Sequence, residues 1–190
     1  MDALETMIES KHVADLLLPL NLRGDGAAEK SRELTLALLK ATKEPFSRQQ
    51  FTPGHITCTG LVLSPGGEHI LLVLHRRLLR WLLPGGHGEL SDGAVTDAAR
   101  REVIEETGIA LREDPSPPLV GVDVHPMPAR GAEPYHLHHD LIFRFQAESL
   151  DCKPSKEIQR LAWSGLDELE RYEVPGCIRR AYIRALGPRA

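Results

Sequence analysis

Three carboxylates, Glu102, Glu105 and Glu106, fall within the stretch REVIEETGI at 101–109. On helical spacing they project from one side and repel one another, by about 0.2–0.5 kcal/mol per exposed pair. Gly108 reads as the left-handed residue that stops the helix. Glu105 and Glu106 then sit in the last turn, where the helix dipole disfavours negative charge. Penalties of one sign without local compensation mark a candidate functional site. Clustered hard oxygen donors are what Mg²⁺ or Mn²⁺ binds, and a bound cation removes the repulsion. Arg101, one position before Glu102 and four before Glu105, is placed to hold a carboxylate through a charged hydrogen bond. A solvated acidic face is the competing reading. Against it, Val95, Ala98, Ala99 and Glu102 follow at i, i+3, i+4 and i+7, so the apolar stripe of this helix runs into the acids and turns them toward a cleft.

The elements that must position this helix are legible in part. Residues 1 to about 45 read as two helices broken by PLNLRGDG, the second with Leu34, Leu38, Ala37 and Ala41 on one stripe. HITCTGLVLS and HILLVLHR, joined by PGGE, read as a strand pair. After the glycine-rich LLPGGHGELSDG comes the helix AVTDAARREVIEET. LVGVDVHPM, HLHHDLIFRFQ and IQRLAWS then read as strands, and LDELERY and PGCIRRAYIRAL as closing helices. The class is mixed α/β without the alternation of a doubly wound sheet. The division is a helical extension over 1–45 and a main domain over 46–190.

The composition, 190 residues with 42% hydrophobic and 26% charged, suits such a domain with a sizeable core. A net charge of −4 gives no basic balance for nucleic-acid or membrane-surface binding. Cys58, Cys152 and Cys177 form no CxxC pair and read as reduced thiols. With neither a signal pattern nor a membrane-spanning run, a cytoplasmic location is expected.

GGHGELSDGAVTDAARREVIEETGI resembles the Nudix box, G-x5-E-x7-R-E-U-x-E-E-x-G-U with U apolar, and its last nine positions match throughout. Upstream it departs. A rigid count puts Gly93 where the loop glutamate belongs and His87 where the glycine belongs, whereas one extra loop residue restores Gly86 and brings Asp92 near the glutamate position. FSRQQFTPGHIT, VDVHPMPAR and HLHHDL are similar to a branch of Nudix hydrolases with a helical N-terminal extension. The resemblance implies a Nudix fold, a mixed sheet sandwiched between helices. It also implies metal-dependent hydrolysis of a diphosphate linkage in a nucleoside diphosphate or related small molecule, by attack of water on phosphorus. Glu102, Glu105, Glu106 and the Gly85 carbonyl are then the metal ligands, supported by Arg101. Many relatives supply a further carboxylate from outside the box. Glu157, six residues before Trp163, takes that place as general base or additional ligand, or is an ordinary exposed loop glutamate. Glu105 and Arg101 complete the expected catalytic set.

Other residues invite chemistry of their own. His136, His138 and Asp140 are spaced H-x-H-x-D, share a face if on a strand, and could ligate zinc. A metallo-β-lactamase-like hydrolase is disfavoured, because Leu141 stands where another histidine is expected and none follows His139. Contact of His136 and His138 with substrate phosphate, or plain strand positions, are the remaining readings. Arg76, Arg77 and Arg80 precede the box and suit phosphate, with a solvated basic turn as the alternative for at least one. Trp81 fits core packing better than base stacking. A non-catalytic Nudix-like binding module is the other class of function, and retention of all three box glutamates argues against it. The substrate stays open, as does the choice for the N-terminal helices between capping the pocket, forming a homodimer interface and packing on the sheet.

Overall fold

The structure, a computed structural model, describes residues 10–187; the first nine residues of the expected helical extension lie outside that range. In chain order the elements are α1 (Ser10–Leu17), α2 (Gly26–Ala41), β1 (Gly54–Leu63), β2 (Ile70–His75), β3 (Arg80–Leu82), β4 (Gly85–His87), α3 (Val95–Thr107), β5 (Leu119–Met127), β6 (His136–Gln146) and β7 (Ile158–Ser164). A 3₁₀ helix over Leu166–Tyr172 and α4 (Gly176–Leu186) close the chain. The strands form one mixed sheet with the order β3-β2-β1-β6-β5, with β4 paired to β1 and β7 to β2. β1 and β6 run parallel at the centre, His55 opposite His138 and Thr57 opposite Asp140. The sandwich of helices around a mixed sheet agrees with the expected fold class.

Each face of the sheet has its own core. On one, Ile56, Cys58, Val62, Leu141 and Phe143 meet Val13 and Leu17 of α1, Leu38 of α2 and Val95, Ala99 and Val103 of α3. On the other, Leu61, Leu72 and Ile142 meet Ile178, Ala181 and Tyr182 of α4. Removing such a side chain from water contributes about 1.5–3 kcal/mol. Among the described residues, no helix is long and apolar enough to cross a membrane.

The N-terminal helices pack on the sheet, but not through the predicted stripe. Leu38 is buried, whereas Leu34 is 39% exposed and Ala37 and Ala41 are exposed. The buried face of α2 is Ala28, Ser31, Thr35 and Leu38. Its two hydroxyls belong there because they are bonded: Ser31 Oγ accepts from the Val124 N–H at 3.0 Å, and Thr35 Oγ1 meets His139 Nδ1 at 3.1 Å. A buried polar group so satisfied costs little. Asp25 caps α2 by accepting from the Ala28 N–H and pairs with Arg180 and Arg184 of α4 at 2.9 and 2.8 Å, joining the two helical layers.

Two strands went unread in the sequence. β3 and β4 are three residues each, too short for alternation to show, and β4 is the glycine-rich GGH read as loop. Trp81 on β3 packs edge-to-face on Tyr172 at 5.0 Å, in keeping with a core role.

Candidate active site

α3 ends at Gly108 in the left-handed conformation, φ 60°, as its sequence requires. Val95, Ala98, Ala99, Val103, Glu106 and Thr107 are its buried positions, so the apolar stripe does lead into the acids. The loop before β7 covers the helix end. The N–H of Lys153 donates to the Thr107 carbonyl at 2.7 Å and that of Ser155 to the Glu106 carbonyl at 3.0 Å. These bonds satisfy carbonyls a helix terminus leaves open, and they bring the following Glu157 to the acids of α3.

Arg101 organises the cluster. Its guanidinium bonds Asp92 through Nε and Nη2 at 3.1 and 3.0 Å, Glu102 through Nη1 at 3.0 Å, Glu105 through Nη1 at 3.3 Å and the His87 carbonyl through Nη2 at 2.8 Å. Asp92 is only 5% exposed and also accepts from the Glu89 N–H at 2.7 Å. The loop carboxylate missing on a rigid count is thus present as Asp92.

The helix acids differ in environment. Glu105 is exposed. Glu102 is half-buried against β4: a Cβ on Gly86 would lie 2.7 Å from its carboxyl, so only glycine lets the acid approach that backbone. Burial raises its pKa despite the Arg101 hydrogen bond. Glu106 is buried and accepts from the Gly85 N–H at 3.1 Å; burial, with help from the charges of Glu102 and Glu157, pushes its pKa up to about 8. Glu106, Glu157 and His75 each place a potential ligand atom within 4.8 Å of one another. The buried Glu106 and half-buried Glu102 beside the exposed Glu157 are an oxygen donor set suited to a hard divalent cation.

His75 went unnoticed in the sequence, where it is one residue at the end of an apolar strand. Its Nδ1 accepts from the N–H groups of Arg77 and Leu78 at 3.2 and 3.3 Å, so the proton of the neutral ring sits on Nε2. Burial lowers its pKa and favours that neutral form. Arg76 turns to the carbonyls of Lys156 and Ile158, at 3.1 and 3.5 Å, and braces the chain on either side of Glu157. Arg77, His136 and His138 line a separate small cavity with His55 and His87. His136, His138 and Asp140 do share a face, with Asp140 held by the hydroxyls of Thr57 and Thr59 at 3.0 and 2.7 Å.

The family model of the NUDIX domain matches residues 54–184, more than half of the chain. The chain belongs to the NUDIX family. It is a Nudix-type pyrophosphohydrolase. The fold is similar to that of a NUDIX-family hydrolase from Clostridium perfringens, at 21% identity over 70% of this chain and 95% of that one, with a TM-score of 0.51. It is also similar to a MutT NUDIX hydrolase from Burkholderia pseudomallei, at 25% identity over 67% and 94% of the two chains and a TM-score of 0.50. None of the curated proteins matches the chain significantly.

Proposed function

We propose that this Nudix protein hydrolyses a diphosphate linkage in a nucleoside diphosphate-linked small molecule, with Mg²⁺ or Mn²⁺ held by Glu102, Glu106, the Gly85 carbonyl and a carboxylate oxygen of Glu105 or Glu157. The observation that carries the reading is the meeting of Glu106, Glu157 and His75 beside Glu102. When bound, the cation supplies Lewis-acid stabilisation of the charge that develops on the diphosphate oxygens. Glu157, exposed and carried on the loop docked to the end of α3, accepts the proton of the attacking water at a carboxylate oxygen. Arg101 fixes Glu102 and Glu105 in place, and Arg77 meets the substrate phosphates. His75, neutral with its proton on Nε2, places a ring nitrogen within 4.8 Å of a carboxylate oxygen of Glu106 and of Glu157.

The test is a panel of nucleoside diphosphate-linked compounds with Mg²⁺, Mn²⁺ or EDTA, products separated by chromatography. A cation-dependent pair of monophosphate products supports the reading. Glu106→Gln should keep the fold and lose at least about 100-fold in kcat; full activity of that variant, or hydrolysis undiminished in EDTA, would overturn it.

A further inference from the structure

Apart from the carboxylates, histidines gather on one face of the sheet. His55 comes from β1, His87 from β4, His125 from β5, and His136 and His138 from β6, with ring centroids 4.9–5.6 Å apart between neighbours. We propose that His55, His87 and His138 form a second metal site, for Zn²⁺ or another borderline divalent cation, on the face of β4 turned away from α3.

One ring nitrogen from each of the three lies within 4.8 Å of the other two. Tetrahedral coordination at about 2.0–2.1 Å would set such nitrogens roughly 3.4 Å apart, so small ring rotations suffice. The positions are fixed by strand pairing, which aligns His55 with His138 and Thr57 with His87. Side-chain alternation then turns His87 away from Glu102, which Gly86 faces. His55, His87 and His138 border a cavity of about 20 Å³, room for one ion or water, which Arg48, Phe51 and Arg77 also line.

The tautomers fit as well. His55 Nδ1 donates to the Gln50 carbonyl at 3.1 Å, the outer hydrogen bond that ligating histidines generally make, and leaves a lone pair on Nε2. That lone pair points at His87 Nε2, 3.0 Å away, a distance that needs a proton between the two nitrogens. A cation can take the place of that proton. His136 is similarly tied, Nδ1 to the Pro134 carbonyl at 2.8 Å, and stacks on His55.

Neutral imidazoles without a carboxylate do not compete for Mg²⁺, so the two sites select different ions. The charged groups around the cavity are Arg77 and Arg48, the latter paired with Glu133 at 3.1 Å, while His125 nearby meets Asp123 at 3.0 Å. The arginines oppose a bare cation and favour an anionic fourth ligand, hydroxide or a phosphate oxygen.

The test uses the full chain without a histidine tag, dialysed against Zn²⁺ or Co²⁺ in excess Mg²⁺. One equivalent of Zn²⁺ should be retained, and the Co²⁺ form should show the visible bands of low-symmetry imidazole coordination. His87→Gln and His138→Gln should each weaken Zn²⁺ binding by more than about 100-fold, beyond what loss of an outer hydrogen bond to a ligand costs. Glu102→Gln/Glu106→Gln should leave it intact, which separates this site from the carboxylate reading. No Zn²⁺ on the wild-type chain, or Zn²⁺ kept by both histidine variants and lost with the glutamates, would overturn the proposal. If a variant misfolds, the wild-type Co²⁺ spectrum decides.

Discussion

Arg101 grips Asp92 through two near-parallel hydrogen bonds, Nε at 3.1 Å and Nη2 at 3.0 Å, nine residues apart in the chain. The box pattern places its acid eight residues before the arginine, with a side chain one methylene longer. The extra loop residue and the shorter acid offset each other, and the Glu89 N–H, donating to Asp92, folds the slack of the loop inward. The pair matters because the other guanidinium nitrogen, Nη1, holds Glu102 and Glu105.

Asp92→Asn keeps the shape and removes the charge. Arg101 then lacks its buried counter-ion and its hold on Glu102 loosens. Unfolding free energy should fall by about 3 kcal/mol, and the Mg²⁺ concentration needed for activity should rise roughly 10- to 100-fold. Urea denaturation and Mg²⁺ titration of the rate measure the two effects. An unchanged Mg²⁺ requirement would mean that Glu102 is positioned without this pair.

Gly86→Ala probes the approach of Glu102 to β4, because the new methyl would sit 2.7 Å from the carboxyl. The half-buried acid can swing away, so a stability loss of only about 1 kcal/mol is expected. A metal-assisted rate should still drop about 10- to 100-fold, since a displacement near 1 Å at a reacting site costs that much. A variant as active as the parent would exclude Glu102 from the chemistry.

These two positions also show what the sequence could carry. α3 and its Gly108 stop obey local rules of period and capping, and its three acids stand out by breaking the charge preference of a helix end, so they were legible residue by residue. Asp92 was half-legible, since its partner is local but the loop length had to be guessed. His55 and His87 join His138 only through a parallel β1–β6 pairing and a three-residue strand, and neither leaves a periodic trace. The buried face of α2 was mis-aimed for a related reason. The Thr35 hydroxyl has a local acceptor in the Ser31 carbonyl, but Ser31 Oγ depends on the Val124 N–H and Thr35 gains a second partner in His139, both distant in sequence.

Asp25 should set part of the acid stability. Burial raises its pKa, but the hydrogen bonds from Arg184 and Ala28 and the charges of Arg180 and Arg184 outweigh that, and the net shift is downward from 3.8. A depressed carboxylate contributes stability above its unfolded pKa and loses it as pH falls through the folded one. Asp25→Ala should therefore cost about 2–4 kcal/mol near neutrality. The difference from the parent should vanish once the pH lies below the folded pKa of Asp25. Thermal denaturation of both proteins across that range is the measurement, and a gap that persists in acid would assign the loss to the helix cap rather than to the ion pairs.

Glu106 gives the opposite sign. Its pKa in the metal-free protein, about 8 against an ordinary 4.5, means that the folded chain keeps a proton which the unfolded chain has released. Stability without metal should fall as pH rises across that window, because the native state binds more protons there. Cation binding needs the ionised carboxylate, so Mg²⁺ affinity should climb with pH, by at most roughly tenfold per unit, and level off above about 8. Glu106→Gln should flatten both dependences. Calorimetric Mg²⁺ titrations at several pH values, each in two buffers of different ionisation enthalpy, count the proton released on binding. Affinity independent of pH, with no proton released, would mean that Glu106 is already ionised before the cation arrives.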